Sequence, residues 1–228
     1  WRSISCFRLL ASLPYMSIQK GLESILNCSV NDIEMSDDKH IKAVYGWQTT
    51  TYKTHYIRAD IFIDCSGDSI LAELSGAEYR HGREARGEYG EAAAPQTEDK
   101  QTMGNSCLLQ VRETAEPTPF IPPQWARKLP EEENLEIRDH MPNSYRDNNF
   151  WWLELGGNKN TIDDAEEIRD ELLKLSFGIW DHIKNTGDHK AENWELDWAG
   201  FLPGKRESRR YIGDHILNQR KVQSSAAC

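Results

Sequence analysis

The residues of this chain best suited to chemistry lie in two short segments. The first is Asp64-Cys65-Ser66-Gly67-Asp68, two acids, a thiol and a hydroxyl around one glycine. Gly67 would let the backbone approach a bound group closely, and a helix N-terminus just beyond it would favour negative charge. The same residues would equally serve an ordinary strand-to-helix connection. The second segment is Lys205-Arg206-Glu207-Ser208-Arg209-Arg210, directly after Leu202-Pro203-Gly204. Guanidinium forks bind phosphates and carboxylates through paired hydrogen bonds. Arg206, next to the Pro-Gly pair, is the best placed of these cations to enter a site. Arg209 and Arg210 suit surface ion pairs with Glu207, Asp214 and other acids.

Other residues offer weaker chemistry. A helix N-terminus beside Cys65 would lower its thiol pKa, although a small residue at a tight turn explains it as well. Ser66 lacks the G-x-S-x-G setting of a nucleophile elbow. His182 and His189 are not spaced i, i+4, so no metal site is read from them. His215 beside Asp214 is either a proton relay or a structural residue. Trp151, Trp152, Trp194 and Trp198 would stack on sugars if exposed, but strand alternation places them in a core.

The elements that must position these groups follow from periodicity. Ile61-Phe62-Ile63 is a continuous apolar run closed by a turn, the pattern of a parallel strand buried on both faces. Ser69–Gly76 reads as a short helix with Asp68 or Ser69 as N-cap and Gly76 just past its end. Such a strand, turn and helix is where open α/β sheets bind ligands. Upstream, residues 24–35, 41–47 and 52–57 read as three strands of a β-meander. Residues 80–100 form a charged connection whose Gly82, Gly87 and Gly90 match neither G-x-G-x-x-G nor a P-loop. Strands are predicted at 106–112, 149–155 and 194–201, with a proline-rich connection at 117–130. The most secure helix is 161–184, where Ile162, Ala165, Ile168, Leu172, Leu175, Ile179 and Ile183 form one stripe. Thr161 with Asp164 resembles a capping box, and Gly187 lies just beyond the end.

Bulk properties narrow the function. The 228 residues carry 27 basic and 37 acidic side chains, a formal net charge of −10, which argues against a nucleic-acid groove. No apolar run approaches the ~20 residues that span a bilayer, and the first residues lack the pattern of a secretory signal. Five scattered cysteines without C-x-x-C spacing point to free thiols in a reducing, cytoplasmic setting. A first residue of Trp and a last stretch of Gln-Ser-Ser-Ala-Ala-Cys lead to the expectation of an internal piece of a longer gene product.

The meander followed by Ala59-Asp60-Ile61-Phe62-Ile63-Asp64-Cys65-Ser66-Gly67-Asp68, and then by Gly76-Ala77-Glu78-Tyr79-Arg80, resembles the FAD-dependent oxidoreductases related to glutathione-reductase-type flavoproteins. Gly204-Lys205-Arg206-Glu207-Ser208-Arg209-Arg210-Tyr211-Ile212-Gly213-Asp214 is similar to a second segment of that family, in the right order. The resemblance implies a mixed α/β (α+β) fold. Residues 1–80 would be a partial Rossmann-like FAD-binding domain with its β-meander. Residues 81–200 would be an inserted substrate or cap domain of mixed α/β structure, and 201–228 a truncated return to the first.

It further implies FAD as cofactor and transfer of hydride or electrons between FAD and a small-molecule substrate. Cys65, Ser66, Gly67 and Asp68 would lie against the dinucleotide, the Val30 backbone against the adenine, and Arg206 on the flavin side. The family's N-terminal strand–GxGxxG–helix has no counterpart in the sequence. The expectation is therefore that this chain alone binds FAD poorly and is inactive. Two other readings stand beside it: a non-catalytic carbohydrate-binding module using its tryptophans, and a non-functional gene remnant.

Overall fold

The computed structural model describes residues 21–130, 140–142, 150–186 and 189–225. Its elements are short antiparallel sheets and helices, an α+β arrangement. The chain divides into two compact units, residues 1–65 with 70–77, and residues 66–69 with 78–228.

The first unit is the meander expected from the sequence. Strands β1 (Cys28–Met35), β2 (Ile41–Gln48) and β3 (Lys53–Arg58) pair antiparallel in chain order. Polar turn residues set the register at the first corner, where the Asp37 carboxylate accepts from the Lys39 and His40 amides at 2.8 and 2.9 Å. Val30 lies opposite Gly46, and a β-bulge interrupts the ladder between Val30 and Asp32. Ala43 and Val44 of the central strand are buried. Across β2 and β3, Tyr45 and Tyr56 are directly paired, with ring centroids 5.1 Å apart. Helix α1 (Ile70–Ser75) packs on β1 and buries Ala72.

Two expectations for this unit are corrected. Residues 61–65 form no strand, and Ile61 and Ile63 are 78% and 83% exposed. A strand buried on both faces needs neighbours on either side, and no strand among the described residues pairs with this run. The cap of α1 is also different. The Asp64 carboxylate accepts from the Leu71 amide at 3.0 Å, while Asp68 and Ser69 turn to other partners. Gly76 does end the helix with φ of +76°.

The second unit is built from two-residue and five-residue pairings rather than long strands. Strand β4 (Tyr79–Arg80) leads into the charged connection, which contains helix α2 (Arg86–Tyr89). Arg83 and Asp99 join its two arms through an isolated bridge and a two-point ion pair at 3.0 and 2.5 Å. The connection is thus stitched, not a plain solvated loop. The strand expected at 106–112 splits into β5 (Asn105–Ser106) and β6 (Leu109–Glu113), and that at 149–155 shrinks to β7 (Glu154–Leu155). Then follow helix α3 (Ala165–Asn185), strands β8 (Trp194–Ala199), β9 (Gly204–Lys205) and β10 (Arg210–Tyr211), and helix α4 (Gln219–Ser225). Strand β5 is the middle of a three-stranded sheet with β7 and β9, β6 pairs with β8, and β4 pairs with β10.

Helix α3 holds this unit together. Ile168, Leu172, Ile179 and Ile183 of the predicted stripe are buried, as is Trp180. Ile179, Trp180 and Ile183 pack with Leu109, Phe150 and Leu153, and Ile168 and Leu172 pack with Cys107. The capping box is corrected: Thr161 is wholly buried and donates to the Glu207 carbonyl at 2.9 Å, while Asp164 occupies the cap position. Gly187, Asn149, Cys6 and Cys228 lie outside the described residues. The tryptophans divide. Trp152 and Trp194 pack on the core, whereas Trp151, in the turn before β7, and Trp198, in β8, are exposed. No described helix is long and apolar enough to cross a membrane.

Because α3 supplies the buried stripe, Leu172→Ala should lower unfolding stability by about 2–5 kcal/mol. The denaturant midpoint of the variant measures this. A loss below about 0.5 kcal/mol, the range of surface substitutions, would mean that this face of α3 is not in the core.

Candidate functional site

The two motif segments meet inside the second unit, and short pairings hold the second one in place. Strand β9 sets Asn105 opposite Lys205 and Ser106 opposite Gly204, and β10 sets Arg210 opposite Arg80. On the other edge of β5, a Cβ on Gly104 would lie 2.3 Å from the Leu155 carbonyl oxygen, so only glycine fits beside β7 there. Between β9 and β10, residues 206–209 are fixed from both ends. Glu207 adds a third anchor, accepting from the Met103 amide at 2.9 Å and from Arg210 at 2.8 Å.

The turn at residues 66–69 is bonded directly to this segment. Lys205 Nζ donates to the Asp68 carboxylate at 2.6 Å, and the Ser208 hydroxyl donates to its other oxygen at 2.6 Å. Arg209 Nε donates to the Asp68 carbonyl at 2.9 Å, and the Ser69 hydroxyl donates to the Arg209 carbonyl at 3.1 Å. Ser208 is almost completely buried, so its hydroxyl needs the partner it has. Within the turn, the Asp68 amide donates to Ser66 Oγ at 3.3 Å.

Partial burial alone would push the Asp68 carboxyl pKa up. The bonds from Lys205 and Ser208 and the charges of Lys205 and Arg209 outweigh it and hold the pKa below the ordinary carboxylate value of 3.8. The charge stays because opposite charge and donors favour the ionised form.

Each residue singled out by the sequence has a definite place. Val30 lies in β1 beside the bulge, half-buried. Cys65, Ser66 and Gly67 are exposed. Gly67 has φ of +82°, a conformation that favours glycine, with no atom within 4 Å of the place a Cβ would take. Arg206 donates to Glu154 at 2.6 Å, with its guanidinium 5.9 Å from the centre of the Trp151 ring. Arg210 pairs with Glu84 and Glu207, as the ion-pair reading anticipates, and Arg209 donates to the Asp68 carbonyl and lies over the Tyr79 ring. His215 contacts Lys221 Nζ at 3.3 Å.

The comparison with protein-family models matches residues 8–228 to the FAD dependent oxidoreductase family. This chain belongs to that family. It is accordingly an oxidoreductase of the FAD-dependent class, with FAD as cofactor. No curated protein and no solved structure gives a significant match to it.

Gly67 leaves room for a bound group on its Cα side, since it is exposed and no atom lies within 4 Å of the place a Cβ would take, while its carbonyl accepts from the Ser208 hydroxyl at 3.3 Å. The neighbouring cations Lys205, Arg206 and Arg210 are already paired with acids of this chain, so they do not present bare positive charge.

Glu154 is not singled out by the sequence, and the contacts of Ser208 with Asp68, of Glu207 with Met103 and of Thr161 with Glu207 join distant segments, which no local spacing announces. Local spacing also does not announce a cluster of three histidines: His182 and His189 lack a helical spacing, yet the fold brings them together with His140.

The folded-state pKa of Asp68 is depressed, so its contribution to stability is fully present above about pH 4 and is lost as pH falls through the folded value. Asp68→Asn should cost about 1–2 kcal/mol near neutral pH, an amount held down by the remaining exposure of the pair. The difference between the two proteins should vanish in acid, where the native side chain is neutral too. Denaturant titrations from pH 7 to pH 2 test this, and a difference independent of pH would remove the charge from the account.

Proposed function

We propose that this chain is the part of an FAD-dependent oxidoreductase that lays its Cys65–Asp68 turn against the dinucleotide. The overall reaction is transfer of hydride or electrons between a small-molecule substrate and FAD. The observation that carries this reading is the direct bonding of Asp68 to Lys205, Ser208 and Arg209, which joins two segments resembling separate motifs of the family.

Bound FAD supplies the redox chemistry, accepting the electrons that leave the substrate. The residues of this chain position and hold. Gly67 offers backbone that a cofactor can approach, and Asp68 fixes the turn through its side chain and its carbonyl. Val30, next to a bulge that disrupts the ladder, has backbone to offer an adenine. Arg206 would serve the flavin side, which requires it to share its guanidinium between Glu154 and the cofactor.

We also propose that the fold is completed by a parallel strand beside residues 61–65, which belongs to a G-x-G-x-x-G unit not found in these 228 residues. The exposure of Ile61 and Ile63 supports this, since large apolar side chains at the end of a meander are suited to being covered.

Titration of the purified chain with FAD, followed by quenching of flavin fluorescence, tests the reading. Weak binding in the high-micromolar range or above is expected, further weakened by Gly67→Val, whose side chain would stand at a positive φ and over the approach path. Stoichiometric, tightly held yellow flavin would contradict the need for a further unit. Weak binding unchanged by Gly67→Val would contradict the role of the turn.

A further inference from the structure

Three imidazoles from three separate stretches of the second unit meet in its interior. They are His140, His182 on the last turn of α3, and His189 just past the helix. Their exposures are 7%, 1% and 5%. Ring centroids are 5.5 Å apart for His140 and His182, 4.8 Å for His140 and His189, and 5.0 Å for His182 and His189. One ring nitrogen from each lies within 4.8 Å of the other two, and the Nε2 atoms of His140 and His189 are 2.9 Å apart.

The hydrogen bond of His182 suits a ligating ring. His182 Nδ1 lies 2.7 Å from the Leu129 carbonyl oxygen. A carbonyl only accepts, so Nδ1 carries a proton and, in the neutral ring, Nε2 carries the lone pair. A ligating histidine commonly donates its second nitrogen to a backbone carbonyl in this way, which fixes ring orientation and tautomer. The Nε2 atoms of His140 and His189 lie close enough to share one hydrogen.

The frame around the cluster is firm. Lys184 Nζ donates to the carbonyls of Ala191, Glu192 and Trp194 at 2.7, 3.0 and 2.7 Å, holding the chain just after His189 against the helix that carries His182.

We propose that His140, His182 and His189 form a binding site for a divalent transition-metal ion, with Zn²⁺ the ion it suits best. Neutral imidazoles suit zinc, copper and nickel, whereas calcium and magnesium take oxygen ligands. Three histidines and one water make a four-coordinate zinc site with nitrogens at about 2.0–2.1 Å from the metal. That geometry places the nitrogens roughly 3.4 Å from one another, so the pair now 2.9 Å apart would part slightly and any separation near the 4.8 Å limit would shorten. The ion would tie residue 140 to the C-terminal end of α3 and to the segment after it. This site is independent of the flavin reading, and it uses none of the motif residues.

The test uses the purified chain, stripped with a chelator and titrated with Zn²⁺ alone against a chromophoric competitor. Co²⁺ in a parallel sample reports geometry through its visible ligand-field bands. One equivalent of Zn²⁺ and the intense bands of four-coordinate Co²⁺ are expected. His182→Gln and His189→Gln should each weaken Zn²⁺ binding by about a hundredfold or more, and His40→Gln, at an exposed position, should not change it. Circular dichroism confirms that each variant is folded, and His140→Gln replaces any that is not. Failure of the unsubstituted chain to bind an equivalent would overturn the proposal. So would octahedral Co²⁺ spectra, or Zn²⁺ affinity indifferent to substitution at His140, His182 and His189.

Discussion

The candidate site depends on one carboxylate being held charged in a partly buried place. Asp68 is bonded by Lys205 and Ser208 through its side chain, and by Arg209 through its carbonyl, across about 140 positions of sequence. Bringing such distant segments together carries a loop-closure cost that grows only slowly with length. Three converging donors, two of them charged, are suited to offsetting it, because charge-assisted hydrogen bonds are stronger than neutral ones. The Ser208 hydroxyl also lies 3.3 Å from the Gly67 carbonyl, so the same segment holds both residues of the turn, and Gly67 itself remains exposed.

The basic cluster that stood out in an acidic sequence reads differently in the structure. Lys205 holds Asp68, Arg206 holds Glu154, and Arg210 holds Glu84 and Glu207. These pairs align β9, β10 and their neighbours, and their charge is largely neutralised within the chain. The segment is therefore chiefly a positioning device. Cysteines show a comparable division: Cys107 is buried and its thiol pKa is pushed up by desolvation, whereas Cys65 stands exposed at the turn.

What the sequence made legible was local and periodic. The three meander strands and the stripe of α3 follow from alternation and from three-and-four spacing, and they appear where those patterns place them. Burial was less legible, because it depends on neighbours. Ile61-Phe62-Ile63 has the composition of a buried strand without a pairing partner among the described residues, and Trp151 and Trp198 are exposed, one in the turn before β7 and the other in β8. Caps were misassigned for a similar reason. Thr161 and Asp68 have the right side chains for capping, but each has a partner in residues 205–208 instead. The motif order did carry information about the family, since motif spacing survives even where individual contacts cannot be foreseen. The histidine cluster left no trace in local spacing.

Asp68 and Lys205 stabilise the fold by acting on each other, not merely by lying side by side. A double-mutant cycle with Asp68→Asn, Lys205→Met and the pair, read by denaturant unfolding at neutral pH, measures that coupling. The account predicts a coupling free energy of about 1 kcal/mol in favour of the native pair, shrinking in high salt. Additive single losses, with a coupling near zero, would contradict it.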